Sequence, residues 1–228
     1  MRVEVVAPEA YDEVAGDHLA EMVLAALDER RSASLAVSGG TTPDGPLTAF
    51  ADHDLDWDRV HLFQVDERVA PDGHEDRNLT MLLGSLAQVL DRVTLDRMRV
   101  TDADLTDAAA AYADRLRSVA GTPARLDGIQ LGLGTDGHTA SLVPGDAVLE
   151  VSDTEVAVTG PYQGRQRLTL TAPTLRAARR RLWLVRGEDK AAAVRGLLAG
   201  DLALPATRVA QPGDVLLLDE PTSRAVRS

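Results

Sequence analysis

The segment Leu131 to Gly145, LGLGTDGHTASLVPG, sets a histidine and an aspartate among four glycines. An imidazole is the side chain suited to proton transfer near neutral pH. His138 has Asp136 two residues before it and Gly137 beside it, so the glycines hold it at a strand end with little backbone bulk. Gly132, Gly134 and Gly137 also spell a literal G-x-G-x-x-G, the dinucleotide fingerprint. That fingerprint leads into a long helix, whereas Pro144 and Gly145 stop any helix within about two turns. A nicotinamide oxidoreductase is therefore the weaker use of these glycines. His18, His53, His61 and His74 lack such a setting and read as ordinary surface or core residues.

Three further features could handle an anion. Val37 leads into Ser38, Gly39, Gly40, Thr41, Thr42 and Pro43, where backbone N–H groups and a helix start can face a negative group. A tight turn plus helix cap explains the same residues. Val65 leads into Asp66, Glu67 and Arg68. These charges are either a solvated strand end or a forked guanidinium held by Asp66 or Glu67 for an oxyanion or phosphate. Finally, of 24 Lys and Arg residues only Lys190 is a lysine, and it stands at a helix start, where the dipole does not favour a cation. A compact ammonium there suits a phosphate. Arg165 and Arg167 precede a strand and either add charge to the site or lie on the surface.

Elements that must position these groups follow from periodicity. Apolar runs at Val3–Val6, Leu35–Val37, Val60–Val65, Ile129–Leu131, Glu155–Thr159, Arg167–Thr171, Leu182–Val185 and Val215–Leu218 read as strands. Helical spacing appears over Tyr11–Asp28, Leu79–Leu90, Ala108–Val119 and Lys190–Leu198. The alternation predicts an α/β fold: one doubly wound, mainly parallel sheet with helices on both faces, a single domain over 1–228. Such sheets collect ligands beyond the carboxyl ends of their strands. Arg179, Arg180 and Arg181 read as a solvated helix end before the strand at Leu182.

With 36 Asp and Glu the formal charge is -12, which disfavours nucleic acid and anionic membranes as partners. There is no cysteine, hence no disulfide and no thiolate nucleophile. The first residues lack the pattern of a signal peptide and no segment is a membrane span, so a cytoplasmic location is expected.

In order along the chain, these segments resemble the 6-phosphogluconolactonase family, within the larger group that includes glucosamine-6-phosphate deaminases. Ser38 to Pro43 is similar to its S-G-G-[ST] loop, Asp66 to Pro71 to D-E-R-x-V-P, and Asn78 to the Asn that follows. Leu131 to Gly145 is similar to G-x-G-x-D-G-H-x-A-S-L-F-P-G, Arg167 to Leu170 to R-[IV]-[ST]-L, and Gly187 to Ala191 to G-x-x-K-A. Val143 stands where Phe is usual, Ala70 and Pro71 alter the V-P pair, and Gly45 with Pro46 interrupts a normally helical stretch. Deaminase relatives carry D-E-Y and an acid after the histidine; here Arg68 replaces that Tyr, and Ser141, Leu142 and Val143 supply no acid.

The resemblance implies hydrolysis of 6-phosphoglucono-δ-lactone in the pentose phosphate pathway, with a monomer or small homo-oligomer expected. It implies His138 as acid/base, Asp136 as its orienter, and Arg68 or glycine N–H groups at the oxyanion. Ser38, Gly39, Gly40, Thr41, Thr42, Asp66, Gly137, Arg167 and Lys190 would bind the substrate and its phosphate, with no metal and no cofactor. The rivals are an amino-sugar-phosphate deaminase/isomerase and a non-catalytic sugar-phosphate sensor.

Overall fold

Strands whose side chains are apolar toward both sides can only sit inside a parallel sheet covered on both faces. The computed structural model describes residues 1–40 and 42–228, and in it the central strands are of this kind. The strands are β1 (Arg2–Val6), β2 (Ala33–Val37), β3 (Val60–Gln64), β4 (Asp66–Arg68), β5 (Thr94–Asp96), β6 (Gly128–Leu131), β7 (Val156–Val158), β8 (Arg167–Leu170), β9 (Arg180–Val185) and β10 (Val215–Asp219). The helices are α1 (Tyr11–Glu29), α2 (Asp44–Ala51), α3 (Asn78–Ser85), α4 (Leu105–Ala120), α5 (Ala172–Ala177), α6 (Ala191–Ala199), α7 (Pro205–Val209) and α8 (Glu220–Arg227). β2 and β6 are buried throughout.

Seven strands pair in parallel in the order β1-β10-β9-β6-β2-β3-β5. Alternate residues feed two cores, because successive side chains leave opposite faces. Leu35, Leu62, Leu182, Leu184 and Leu217 pack on one side with Leu19 of α1, Phe50 of α2 and Leu82 of α3. Ala36, Phe63, Trp183, Val185 and Leu216 pack on the other with Leu116 of α4, Leu175 of α5 and Val194 of α6. The chain runs outward from β2 through β3 to β5, then returns to place β6 on the other side of β2. The carboxyl ends of β2 and β6 therefore form the switch point at which such sheets open a crevice.

The expected parallel arrangement holds for this sheet but not for every strand. β7 and β8 join β4 in a separate antiparallel sheet of order β4-β8-β7. Val65 is the hinge between the two: its N–H donates to the Val37 carbonyl in the large sheet, while its own carbonyl accepts from Leu170 N in the small one. Gly45 and Pro46 do not prevent α2, since a proline in the first turn removes no hydrogen bond that the helix could make. Lys190 ends a 3-10 turn at Glu188–Lys190, and α6 starts one residue later. Among the described residues no helix is long and apolar enough to cross a membrane.

The arginine run departs from its expected place as a solvated helix end. α5 stops at Ala177, and Arg180 and Arg181 are already in β9. Arg181 is buried: its Nε donates to Asp214 Oδ1 at 2.7 Å, and its Nη1 to the carbonyls of Arg176 and Ala178. The other Asp214 oxygen accepts from Trp183 Nε1 at 2.9 Å, so one buried carboxylate ties β9 to the turn before β10. Removing one partner of such a pair strands a buried charge. Asp214→Ala is expected to cost about 3–5 kcal/mol, read as a lower urea midpoint with an unchanged slope; a midpoint within experimental error of the parent would exclude this role.

Candidate active site

At the switch point a cavity of about 280 Å³ is lined by Ser38, Gly39, Gly40 and Thr42 after β2, and by Asp66, Arg68 and Asn78 beyond β3. Gly132, Gly134 and His138 after β6, Arg167 of β8 and Lys190 before α6 complete most of the wall. Residues up to 152 positions apart in the chain, Ser38 and Lys190, thus share one opening.

The histidine turn is the tightest part. Gly134 N donates to the His138 carbonyl at 2.8 Å and Gly137 N to the Gly134 carbonyl at 3.0 Å, folding the loop back on itself. The imidazole then lies on Gly134, where a Cβ would stand 2.1 Å from His138 Nδ1. Asp136 Oδ1 lies 2.6 Å from His138 Nδ1 and accepts the His138 backbone N–H at 3.1 Å. With Nδ1 engaged there, Nε2 is the ring nitrogen left for another partner. Partial burial favours protonation of Asp136, but the two His138 hydrogen bonds, the His138 charge and the Tyr162 hydroxyl outweigh it and hold the carboxyl below its ordinary value. Asp136 itself stands behind the imidazole and does not line the cavity; nor does Gly137, which packs against Leu204.

The second wall is organised by Glu67, a fully buried carboxylate. Oε1 accepts from Arg68 N and Asn78 N, both at 2.8 Å, and Oε2 from Leu79 N and Gln64 Nε2, both at 2.9 Å. Arg77 Nε pairs with the same Oε2 at 3.1 Å. Glu67 thereby satisfies the first free N–H groups of α3, which no side chain within the helix start caps. Asn78 is fixed by this arrangement, its Nδ2 donating to the Asp66 carbonyl at 2.9 Å. A Cβ on Gly39 would stand 2.2 Å from Asn78 Oδ1, so only glycine lets the loop after β2 close onto α3.

Charge in the cavity is opposite to that of the whole chain. Arg68, Arg167 and Lys190 reach it, while Asp66 is the carboxylate on its lining. Burial pushes the Lys190 ammonium and the Arg167 guanidinium below their ordinary values, against Asp189 and Asp66 respectively. The same effect raises the Asp66 carboxyl, against the Ser141 hydroxyl and the charges of Arg167 and Arg68. Among the described residues no carboxylate lies within ion-pair distance of Lys190, Arg68 or Arg167, although Arg68 Nη1 donates to the Asp76 carbonyl at 2.9 Å. Arg165 is spent elsewhere, its Nη2 lying 2.6 Å from Asp76 Oδ2, so Arg167 is the arginine of this pair that meets the cavity.

Of the residues expected from sequence, His138, Arg68, Ser38, Gly39, Gly40, Thr42, Asp66, Arg167 and Lys190 line the cavity, and Asp136 and Gly137 support it from behind. Thr41 lies outside the described residues. The Ser38 hydroxyl donates to the Gln130 carbonyl at 3.0 Å, so its oxygen is left as an acceptor. Sequence reasoning missed Glu67 as an organiser, Ser141, and Tyr162, whose hydroxyl donates to Asp136 Oδ2 at 3.1 Å. A tyrosine in a Gly/Pro-framed turn, one of three in the chain, was the available signal.

The family model described as glucosamine-6-phosphate isomerases/6-phosphogluconolactonase matches residues 7–218. A 6-phosphogluconolactonase of Synechocystis sp. is 35% identical over 212 residues, covering 89% of this chain and 88% of its own. One from Streptomyces coelicolor is 37% identical over 221 residues, covering 87% and 83%. The solved structure of the 6-phosphogluconolactonase from Trypanosoma brucei superposes with a TM-score of 0.84 at 26% identity, covering 98% of this chain and 97% of its own.

The contact between Gly134 and the imidazole has a direct test. Gly134→Ala is expected to swing the His138 ring off Asp136 while the fold persists. A crystal structure of the variant that still showed Nδ1 at hydrogen-bonding distance from Oδ1 would contradict it.

Proposed function

The chain belongs to the family of glucosamine-6-phosphate isomerases and 6-phosphogluconolactonases, and we propose that within it the protein hydrolyses 6-phospho-D-glucono-1,5-lactone to 6-phosphogluconate. The observation that carries this reading is a single cavity in which an aspartate-held imidazole faces three cations and a glycine turn.

Binding begins with the phosphate, a near-dianion around neutral pH. Lys190 and Arg167 neutralise it, and the N–H groups of Gly39, Gly40 and Thr42 supply further donors. Burial already disfavours the charged form of both cations, so a bound anion restores interactions that burial has weakened. This local field offsets the repulsion expected from a chain of formal charge -12.

With the phosphate held, the lactone carbonyl is directed to His138. Asp136 keeps the ring proton on Nδ1, so neutral Nε2 accepts a proton from water as the water oxygen bonds to the carbonyl carbon. The carbonyl π electrons move to oxygen, giving a tetrahedral oxyanion that Arg68 or the N–H groups of the glycine turns stabilise. Collapse re-forms the carbonyl and breaks the bond to the ring oxygen, which takes the proton from His138. The ester is opened with every proton accounted for, and the imidazole is neutral again.

Two substitutions separate the roles. His138→Ala is expected to lower turnover by about 10² to 10⁴ with little change in KM, in an assay of acid release corrected for spontaneous hydrolysis. Unchanged turnover would remove His138 from the chemistry. Lys190→Ala is expected to raise KM for the phosphorylated lactone by about tenfold or more, the scale of one hydrogen bond to a charged group, and to leave unphosphorylated gluconolactone unaffected. Equal losses on both substrates would rule out a phosphate role, and ammonia release from glucosamine 6-phosphate would favour the isomerase side of the family.

A further inference from the structure

Tyr162 touches three residues of the site without lining the cavity itself. It begins a two-residue turn between β7 and β8, closed by Tyr162 N to the Arg165 carbonyl at 2.9 Å and Arg165 N to the Tyr162 carbonyl at 3.2 Å. Gln163 and Gly164 have φ of 52° and 78°, the left-handed pair that a tight hairpin of this twist requires. The turn carries the tyrosine back over the histidine loop. Its hydroxyl donates to Asp136 Oδ2 at 3.1 Å, its ring meets the His138 ring edge-on at 5.6 Å, and the Arg167 guanidinium lies 5.0 Å from its centroid.

These contacts fill a gap in the site. Asp136 Oδ1 is occupied by the His138 ring and backbone, and Oδ2 has the Tyr162 hydroxyl. Without that donor the carboxylate is free to turn about its last bond, and the imidazole loses the orientation that exposes Nε2. Arg167, over the same ring, is buried, and its side-chain hydrogen bonds, to Ser141 Oγ and Gln163 Oε1, are both 3.4 Å long. Long hydrogen bonds of that kind hold a guanidinium poorly, so the aromatic face is its main support.

We propose that Tyr162 is a positioning residue for the reaction of this cavity: its hydroxyl locks Asp136 and through it the His138 tautomer, while its ring orients Arg167. Burial first, and the Asp136 charge second, raise the Tyr162 phenol, which keeps it protonated and therefore a donor. The two halves of the side chain thus serve different steps. The hydroxyl acts on proton transfer, the ring on anion binding.

The proposal rests on the lactonase reading, and the experiment keeps the two apart. Parent, Tyr162→Phe and Tyr162→Leu are assayed on the phosphorylated lactone, with melting curves to establish that each is folded. Tyr162→Phe is expected to lower kcat about tenfold with KM within about twofold, the scale of a hydrogen bond to a charged group. Tyr162→Leu is expected to raise KM as well. On an Asp136→Ala background, Tyr162→Phe is expected to cost nothing further, because the group it acts through is gone. A Tyr162→Phe enzyme with parental kcat, or one that loses the same factor without Asp136, overturns the proposal. If the folded parent does not open the lactone, the functional reading fails and ¹⁵N NMR of the His138 ring decides the rest. A parent protonated at Nδ1, with that tautomer depleted in Tyr162→Phe, supports the lock; an unchanged tautomer population overturns it.

Discussion

The buried carboxylate of Glu67 is the constraint from which the site is assembled. It has no contact with solvent, and it is stable there because four N–H donors and the Arg77 guanidinium surround its two oxygens. A charge without such partners would not remain buried. The same bonds fix the backbone on both sides of the cavity wall: Arg68 on β4, and Asn78 with Leu79 at the start of α3. Asn78 in turn sets how closely the Gly39 turn approaches, so the loop after β2 inherits its position from a carboxylate it never touches. The hinge at Val65 carries this geometry between the two sheets.

Against that frame, the cavity keeps cations short of counter-charge. Among the described residues, Arg68 Nε and Arg167 Nε are buried without a hydrogen-bond acceptor, and Asn78 Oδ1 without a donor. Unsatisfied buried polar atoms are uncommon in folded proteins and each costs about 1–3 kcal/mol. Here they converge on one opening, together with a partly desolvated Lys190: the acceptor oxygens of an anion would satisfy the two guanidinium N–H groups, and a hydroxyl of the same ligand would donate to Asn78 Oδ1. The arrangement is electrostatic preorganisation: the folding energy of the rest of the chain holds donors in place before any charge arrives.

Much of this was legible in the residues. His138 with Asp136 among glycines and the charged run after Val65 each marked a true strand end, and the lone lysine a true helix start, because a strand's abrupt stop and a helix's onset are local properties. The arginine run was misread for a related reason. Arg181 looks like a solvated charge until Asp214, 33 residues later, is seen to meet it inside the core. β4 and the second sheet were invisible because three residues, DER, carry no periodicity, and they become a strand only by pairing with β8. Tyr162 escaped because its hydroxyl partner is remote in the chain: Asp136 lies 26 residues before it and is reached only by a turn that folds back.

The sequence by itself determined which side chains stand at the ends of strands, where glycine permits a close approach, and that one imidazole and one ammonium differ from all their kind in the chain. Those follow from residue chemistry and from backbone freedom, both of which act over a few positions. Only the tertiary structure decided that these ends meet. The return of β6 to lie beside β2, the handover at Val65 and the burial of Glu67 are long-range pairings. Which arginine faces the cavity and which is spent on Asp76, and which oxygen of Asp136 is taken by Tyr162, depend on distances that close only once both cores are packed.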